Sequence, residues 1–203
     1  LKTDLITNVS HDIKTPLTSI INYVDILKRS NIEDPKIQGY LEILEAKAQR
    51  LKTLTEDVVE ASKVSSGNIN LQLMDVNLVE MMNQTTGEFA EKFEHKNLEL
   101  IQTLPNEPAI IHVDGRRMWR VLENLYNNAA KYAMPGTRIY ADLRTDKDEV
   151  IFSLKNVSEY PLNFSADELT ERFIRGDISR SNEGSGLGLS IAKSLVQMQG
   201  CLL

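Results

Sequence analysis

The sequence predicts a helical hairpin that pairs with a second copy into a dimeric four-helix bundle, followed by an α/β domain of two layers. Three observations carry this reading. Apolar residues recur at steps of three and four through two long stretches separated by turn residues. A break containing Ser and Gly follows the second stretch. Beyond it, segments of strand character alternate with segments of helical period. The 203 residues are 41% hydrophobic and 26% charged, the proportions of an ordinary folded chain of one or two domains. A formal net charge of −6 argues against nucleic-acid binding through a broad basic face. Cys201 is the single cysteine, so no intrachain disulfide is possible and a reducing compartment fits. No apolar run approaches the roughly 18 residues of a membrane span and no signal sequence is recognisable, so the chain as it stands neither crosses a membrane nor is exported.

The first stripe is Leu5, Val9, Ile13, Leu17, Ile20, Val24 and Leu27, which predicts a helix over residues 1 to 29. "RSNIEDPK" supplies turn chemistry. Ile37, Leu41, Leu44, Ala48, Leu51, Leu54 and Val58 then form a second stripe with heptad-like steps. Two helices leave much of each stripe wet, and pairing two hairpins covers it, so a homodimer is expected.

Within the first helix stands "NVSHDIKTPL", residues 8 to 17. At about 100° per residue the stripe centres near the direction of Ile20, and His11 points roughly the other way, in the company of Asp4, Thr15, Thr18 and Asn22. That places His11 on a polar, accessible face rather than in a core. A solvated surface histidine is the plain alternative. An imidazole with one unprotonated ring nitrogen is, however, a nucleophile toward phosphorus, and a carboxylate such as Asp12 can hold or take the proton on the other nitrogen. Neighbours in a helix do not share a face, so that contact depends on the Asp12 rotamer. Thr15 lies one turn beyond His11, where its hydroxyl can bond a phosphoryl group or orient a water. Pro16 removes a helical hydrogen bond and invites a kink.

"SHDIKTPL" resembles the phospho-acceptor motif of the sensor histidine kinases of two-component signalling. The resemblance implies that a separate ATP-binding domain follows, with an asparagine-bearing helix and a glycine-rich phosphate loop. "SKVSSGN", residues 62 to 68, reads as the linker, dividing a dimerisation and histidine phosphotransfer domain over 1–65 from a catalytic domain over 66–203. The second domain reads as strand "NINLQLMDVN", a helix around 78 to 94, strand "LELIQTL", a short strand "AIIHVD", a helix from Gly115 to Ala133, and strands "TRIYADLR" and "EVIFSLKN" at hairpin-like spacing. Helices are expected on one face of the sheet, in the arrangement the resemblance identifies as the Bergerat ATP-binding fold.

In "RVLENLYNNAAKY", Asn124 and Asn128 fall one turn apart on a flank that Lys131 and Tyr132 extend. Paired amide oxygens suit Mg²⁺, which keeps several waters and takes its other ligands from protein oxygens and phosphates, and Lys131 can neutralise phosphate charge. A solvated polar flank explains the same residues. The resemblance assigns Asn124 and Asn128 to the two asparagine positions of the family's nucleotide helix and Lys131 and Tyr132 to its basic and aromatic positions, with Glu123 ahead of them.

"EGSGLGLSIAKSLVQMQG" sets Gly184, Gly186 and Gly188 before an apolar-periodic helix, where small residues let backbone approach phosphate and helix N-terminal amides face the anion. Tight packing uses the same residues. The run, with Leu187 inside it, matches the family's G-x-G-L-G-L. Upstream, "ERFIRGDISRS" resembles the family's lid, with Phe173 as aromatic anchor and Arg175 approaching the terminal phosphate. One family motif is altered: where D-x-G-x-G is expected, "NVSEY" puts Asn156, Ser158 and Tyr160. Asn156 keeps an acceptor for the adenine amino group and adds a donor, while the side chains of Ser158 and Tyr160 narrow the base pocket. Thr170 likewise replaces the first phenylalanine of the lid motif.

The resemblance therefore implies ATP- and Mg²⁺-dependent autophosphorylation of His11, with Asp12 as base or orienter. It further implies transfer to an aspartate in the receiver domain of a response regulator, and with Thr15 the reverse phosphatase role. A kinase-inactive dimeric scaffold that recruits the regulator is the alternative that "NVSEY" favours. Residue 1 already lies inside the helical stripe, and the chain stops three residues after "QMQG". This reads as a fragment, the cytoplasmic portion of a sensor whose membrane anchor would lie upstream.

Overall fold

The computed structural model describes residues 2–30, 32–65, 70–147, 149–161 and 187–203. The chain divides into two compact units, Leu1–Ile69 and Asn70–Leu203.

The first unit is the hairpin. Helix α1 spans Lys2–Arg29 and α2 spans Pro35–Ser65. Asp34 accepts from the Lys36 N–H at 2.8 Å, and Pro35 fits the first helical turn, where its missing N–H costs nothing. The residues expected to form a linker from 62 onward are helical through Ser65, because Ser62, Lys63 and Val64 are tolerated in a helix and only Gly67 is a strong breaker. Lys28 pairs with Glu45 and Lys14 with Glu56, at 3.9 Å, so the helices run antiparallel. Leu17 and Val24 on α1 and Leu41 and Ala48 on α2 are buried at 3 to 7% exposure, forming the seam of the hairpin. The other half of each stripe stays open. Ile13, Ile20 and Leu27, and Ile37, Leu44, Leu51 and Val58, repeat at heptad intervals and are 40 to 52% exposed. Each helix thus carries two apolar rows, and the hairpin uses one.

The second unit runs β1 (Leu73–Asn77), α3 (Leu78–Glu94), β2 (Glu99–Thr103), β3 (Ile110–Asp114), α4 (Gly115–Tyr132), β4 (Arg138–Asp146), β5 (Glu149–Asn156) and α5 (Gly188–Met198). Among the described residues the strands form two sheets: β1 pairs antiparallel with β3, and β2–β4–β5 form a second sheet in which β2 and β4 are parallel and β4 and β5 antiparallel. The first strand is shorter than the run "NINLQLMDVN" suggests. Its pairing starts at Leu73, and the Gln72 N–H turns instead to the Asp114 carboxylate at 3.0 Å. Along β4, Ile139, Ala141 and Leu143 are buried while Arg138, Tyr140 and Arg144 are exposed, the alternation of a sheet covered on one face. The helical layer supplies Met82, Phe89 and Phe93 from α3, Leu122 and Tyr126 from α4, and Ile191, Leu195 and Val196 from α5. Phe89, Phe93 and Tyr126 form an aromatic cluster with ring centroids 5.5 to 6.1 Å apart. No helix among the described residues is long and apolar enough to cross a membrane.

Candidate active site

His11 and Asp12 lie within the unbroken helix α1, one to two turns before the buried Leu17. Thr15 follows on an exposed position. Pro16 has no N–H, so the Asp12 carbonyl lacks its usual helical donor. The hydroxyls of Thr18 and Ser19 donate to the Lys14 and Thr15 carbonyls at 2.8 and 3.2 Å, reinforcing the turn beside the proline.

In the second unit, α4 is held to α3 on one side. Tyr126, fully buried, has its hydroxyl 3.4 Å from that of Thr86; Lys92 donates to the Asn127 side chain; Lys96 donates to the Lys131 carbonyl at 2.7 Å. The opposite flank carries the predicted residues. Asn124 is 8% exposed, and its side-chain NH₂ is buried with no hydrogen-bond partner among the described residues. Its Oδ1 lies 3.4 Å from where a Cβ on Gly188 would stand, so the first residue of α5 sits directly against the asparagine side chain. Leu187 is the N-terminal cap of α5 and makes no side-chain hydrogen bond there. Asn128, one turn on from Asn124, is half-buried. Lys131 donates to the Tyr132 hydroxyl at 3.0 Å with its ammonium 4.6 Å from the ring centroid, so the residues at the predicted basic and aromatic positions are held against each other.

The far end of that flank meets "NVSEY". Asn156, exposed, ends β5, and the segment after it is laced to the end of α4: Ser158 bridges Ala133, the Met134 N–H donates to the Val157 carbonyl at 2.9 Å, and the Glu159 N–H to the Tyr132 carbonyl at 2.8 Å. The Ser158 hydroxyl donates to the Tyr160 carbonyl at 2.7 Å, closing a local turn in place of the flexibility two glycines would provide. Asn124 with the α5 terminus and Asn156 thus mark two ends of one polar flank. Along α4 the stretch from Asn124 to Tyr132 covers about 12 Å at 1.5 Å per residue.

Two family profiles match this chain: "His Kinase A (phospho-acceptor) domain" over residues 1–67, and "Histidine kinase-, DNA gyrase B-, and HSP90-like ATPase" over residues 113–202. The chain belongs to the sensor histidine kinases. Sensor protein VanSC of Enterococcus gallinarum is 34% identical over 98% of this chain, and sensor histidine kinase WalK of Bacillus subtilis is 27% identical over 97%. The chain spans 55% and 33% of the lengths of these relatives. The crystal structure of full-length ShkA in complex with AMPPNP, 20% identical, matches 97% of this chain and 41% of that one with a TM-score of 0.81, a likeness of fold.

The asparagine flank, Leu187 and Gly188 fall within the described residues, whereas Phe173, Arg175, Gly184 and Gly186 lie outside them. Sequence reasoning missed Asp114. It is 6% exposed and accepts from the N–H groups of Arg116 and Arg117 at 3.1 and 3.2 Å, capping α4, while its other oxygen accepts from Gln72. Burial pushes the Asp114 carboxyl up, but the Gln72, Arg117 and Arg116 amides and the Arg117 charge outweigh it and hold the group below the usual carboxylate range. An aspartate directly before a helix was the signal that could have found it.

Asn124 passes the test of fit for a nucleotide and its cation. A buried amide donor left without a partner costs about 1 to 3 kcal/mol. Its oxygen neighbour is the kind of hard ligand Mg²⁺ takes, and the adjoining helix terminus is the kind of donor array phosphate takes.

Proposed function

We propose that this chain is the kinase core of a sensor protein that phosphorylates its own His11 from ATP and passes the phosphoryl group to an aspartate of a response-regulator receiver domain. The observation that carries the reading is the buried, unpartnered Asn124 amide at the α5 terminus, in a chain whose first helix also bears His11. On this reading the nucleotide lies along α4, its base near Asn156 and Tyr132 and its phosphates toward Leu187 and Gly188, with Lys131 matching their charge, and the resemblance adds Gly184 and Gly186 as phosphate contacts, Arg175 as a further charge and Phe173 as an anchor. The side-chain oxygens of Asn124 and Asn128 would hold Mg²⁺, which would supply charge neutralisation for the phosphates.

His11 attacks the γ-phosphorus in line, forming an N–P bond as the bond to the ADP oxygen breaks, and Asp12 orients the ring or takes the proton of its other nitrogen. The receiver carboxylate then attacks phosphorus and the N–P bond breaks, returning a neutral imidazole. Thr15 orients water in the reverse, phosphatase reaction. The exposed apolar rows of α1 and α2 support a homodimer. The relatives named as sensor proteins support a cytoplasmic position beneath a membrane anchor supplied by another part of the protein.

The test is incubation with Mg·ATP beside a His11→Gln variant, read by intact mass. Acid-labile phosphate on the unmutated chain alone is expected. The scaffold reading draws on the side chains of Ser158 and Tyr160 at the base end; it gains if nucleotide binds and no phosphate ever appears.

A further inference from the structure

The best-defined tertiary contact in the catalytic unit lies at the other end of α5 from its glycines. The Asp114 N–H donates to the Gln199 side-chain oxygen at 2.8 Å, and the Gln199 NH₂ donates to the Leu195 carbonyl at 3.0 Å, so the amide is spent in both directions. Gln199 is the C-terminal cap of α5, and Asp114 is the N-terminal cap of α4. At the other end of α5, Gly188 stands against Asn124, midway along α4. The two helices therefore run antiparallel, with α5 alongside the N-terminal half of α4. From Gly188 to Gln199 the rise is about 16.5 Å and from Asn124 to Asp114 about 15 Å, at 1.5 Å per residue.

Both helices bury apolar residues, Ile191, Leu195 and Val196 on α5 and Met118, Val121 and Leu122 on α4, and the two helices are in contact. Apolar packing resists separation of the helices but specifies their sliding poorly, since ridges of similar side chains mesh in neighbouring registers. A directional contact is what sets register. Asp114 is well suited to hold it, because its carboxylate is itself fixed by the Gln72, Arg116 and Arg117 amides in a buried position. We infer that Gln199 is a positioning residue: by clasping the Asp114 backbone it sets the axial register of α5 on α4, and so places the amides of the α5 terminus beside Asn124. A slip of one residue moves that terminus by about 1.5 Å, enough to misplace its donors relative to a phosphate.

This rests on the nucleotide reading and adds to it a dependence on the number of phosphates. Only a ligand that reaches the α5 terminus should sense the register. The full chain is compared with Gln199→Met, which keeps the volume and removes both hydrogen bonds, and with Gln199→Glu, which removes only the donor. Affinities for Mg·ATP and for AMP are measured by calorimetry at pH 8 and pH 5.5, each relative to the unmutated chain at the same pH. For Gln199→Met, Mg·ATP binding should weaken about tenfold while AMP binding stays within about twofold. For Gln199→Glu, which keeps an acceptor for the Asp114 N–H, the loss of Mg·ATP affinity should be smaller than for Gln199→Met at both pH values. Unchanged ATP affinity in Gln199→Met, or equal losses for ATP and AMP in both variants, overturns the inference and leaves the nucleotide reading standing. An unmutated chain that binds neither ligand defeats the nucleotide reading, and the inference falls with it.

Discussion

The hairpin and the catalytic unit solve the same problem to different degrees. In the catalytic unit, apolar positions that the helical period predicts are covered: Leu122, Ile191 and Leu195 are at most 1% exposed. In the hairpin, Leu17 and Val24 are covered but Ile13, Ile20 and Leu27 are not, although all five belong to the same stripe. The difference teaches that periodicity reports how much surface a helix needs to bury, not whether one chain can bury it. A sheet offers a helix a broad face, whereas a single helix offers only a seam, and a second row then calls for a second partner.

Charging the open row is the strongest way to break this contrast. Leu44→Lys combined with Leu51→Lys should abolish self-association, seen by light scattering after size exclusion, because four like charges would meet across a seam that is apolar in the unmutated chain. The catalytic unit should keep its unfolding transition. An unchanged dimer would show that this row is not the interface.

Next in size, Leu122→Ala should cost the catalytic unit about 2 to 5 kcal/mol in urea unfolding, the range for opening a cavity in a closed core. The same measurement on Leu44→Ala at concentrations where the hairpin is monomeric should show under about 1 kcal/mol, since an exposed side chain leaves no cavity. Equal effects would erase the comparison.

Asp114→Asn sharpens it from the polar side. Losing the carboxylate should cost about 1 to 2 kcal/mol at neutral pH. Its pH dependence has a definite sign: the folded carboxyl sits below its ordinary value of 3.8, so its stabilisation is present above that pH and fades as pH falls through the folded pKa. Stability curves for the unmutated chain and Asp114→Asn should therefore converge below about pH 4. The smallest effect is expected at the β4–β5 hairpin tip, where Lys147 holds φ at 52°. Lys147→Gly should raise stability by about 0.5 to 1 kcal/mol, read as a small increase in melting temperature.

Most of the local architecture was legible beforehand. The stripes placed α1 and α2, strand-like runs at hairpin spacing placed β4 and β5, and a helix from Gly115 was readable from Val121, Leu122, Leu125 and Ala129. Asn124 and Asn128 were assigned to one flank from spacing alone. What spacing missed was that Asn124 is buried, because burial depends on α5 arriving beside it from more than sixty positions away. The linker was read too early for a related reason: Ser62 to Ser65 are weak helix formers, and helix already growing from Pro35 carries through them.

By itself, then, the sequence determined which segments are helices and strands and which of their faces are apolar, since each depends on near neighbours and side-chain type. The tertiary structure decided which apolar row is covered, how "NVSEY" is laced to the end of α4, and that Gln199 meets Asp114, 85 positions apart. Such contacts leave no periodic trace along the chain. They exist only once the packing of α5 on α4 has brought two distant backbone groups within hydrogen-bonding distance.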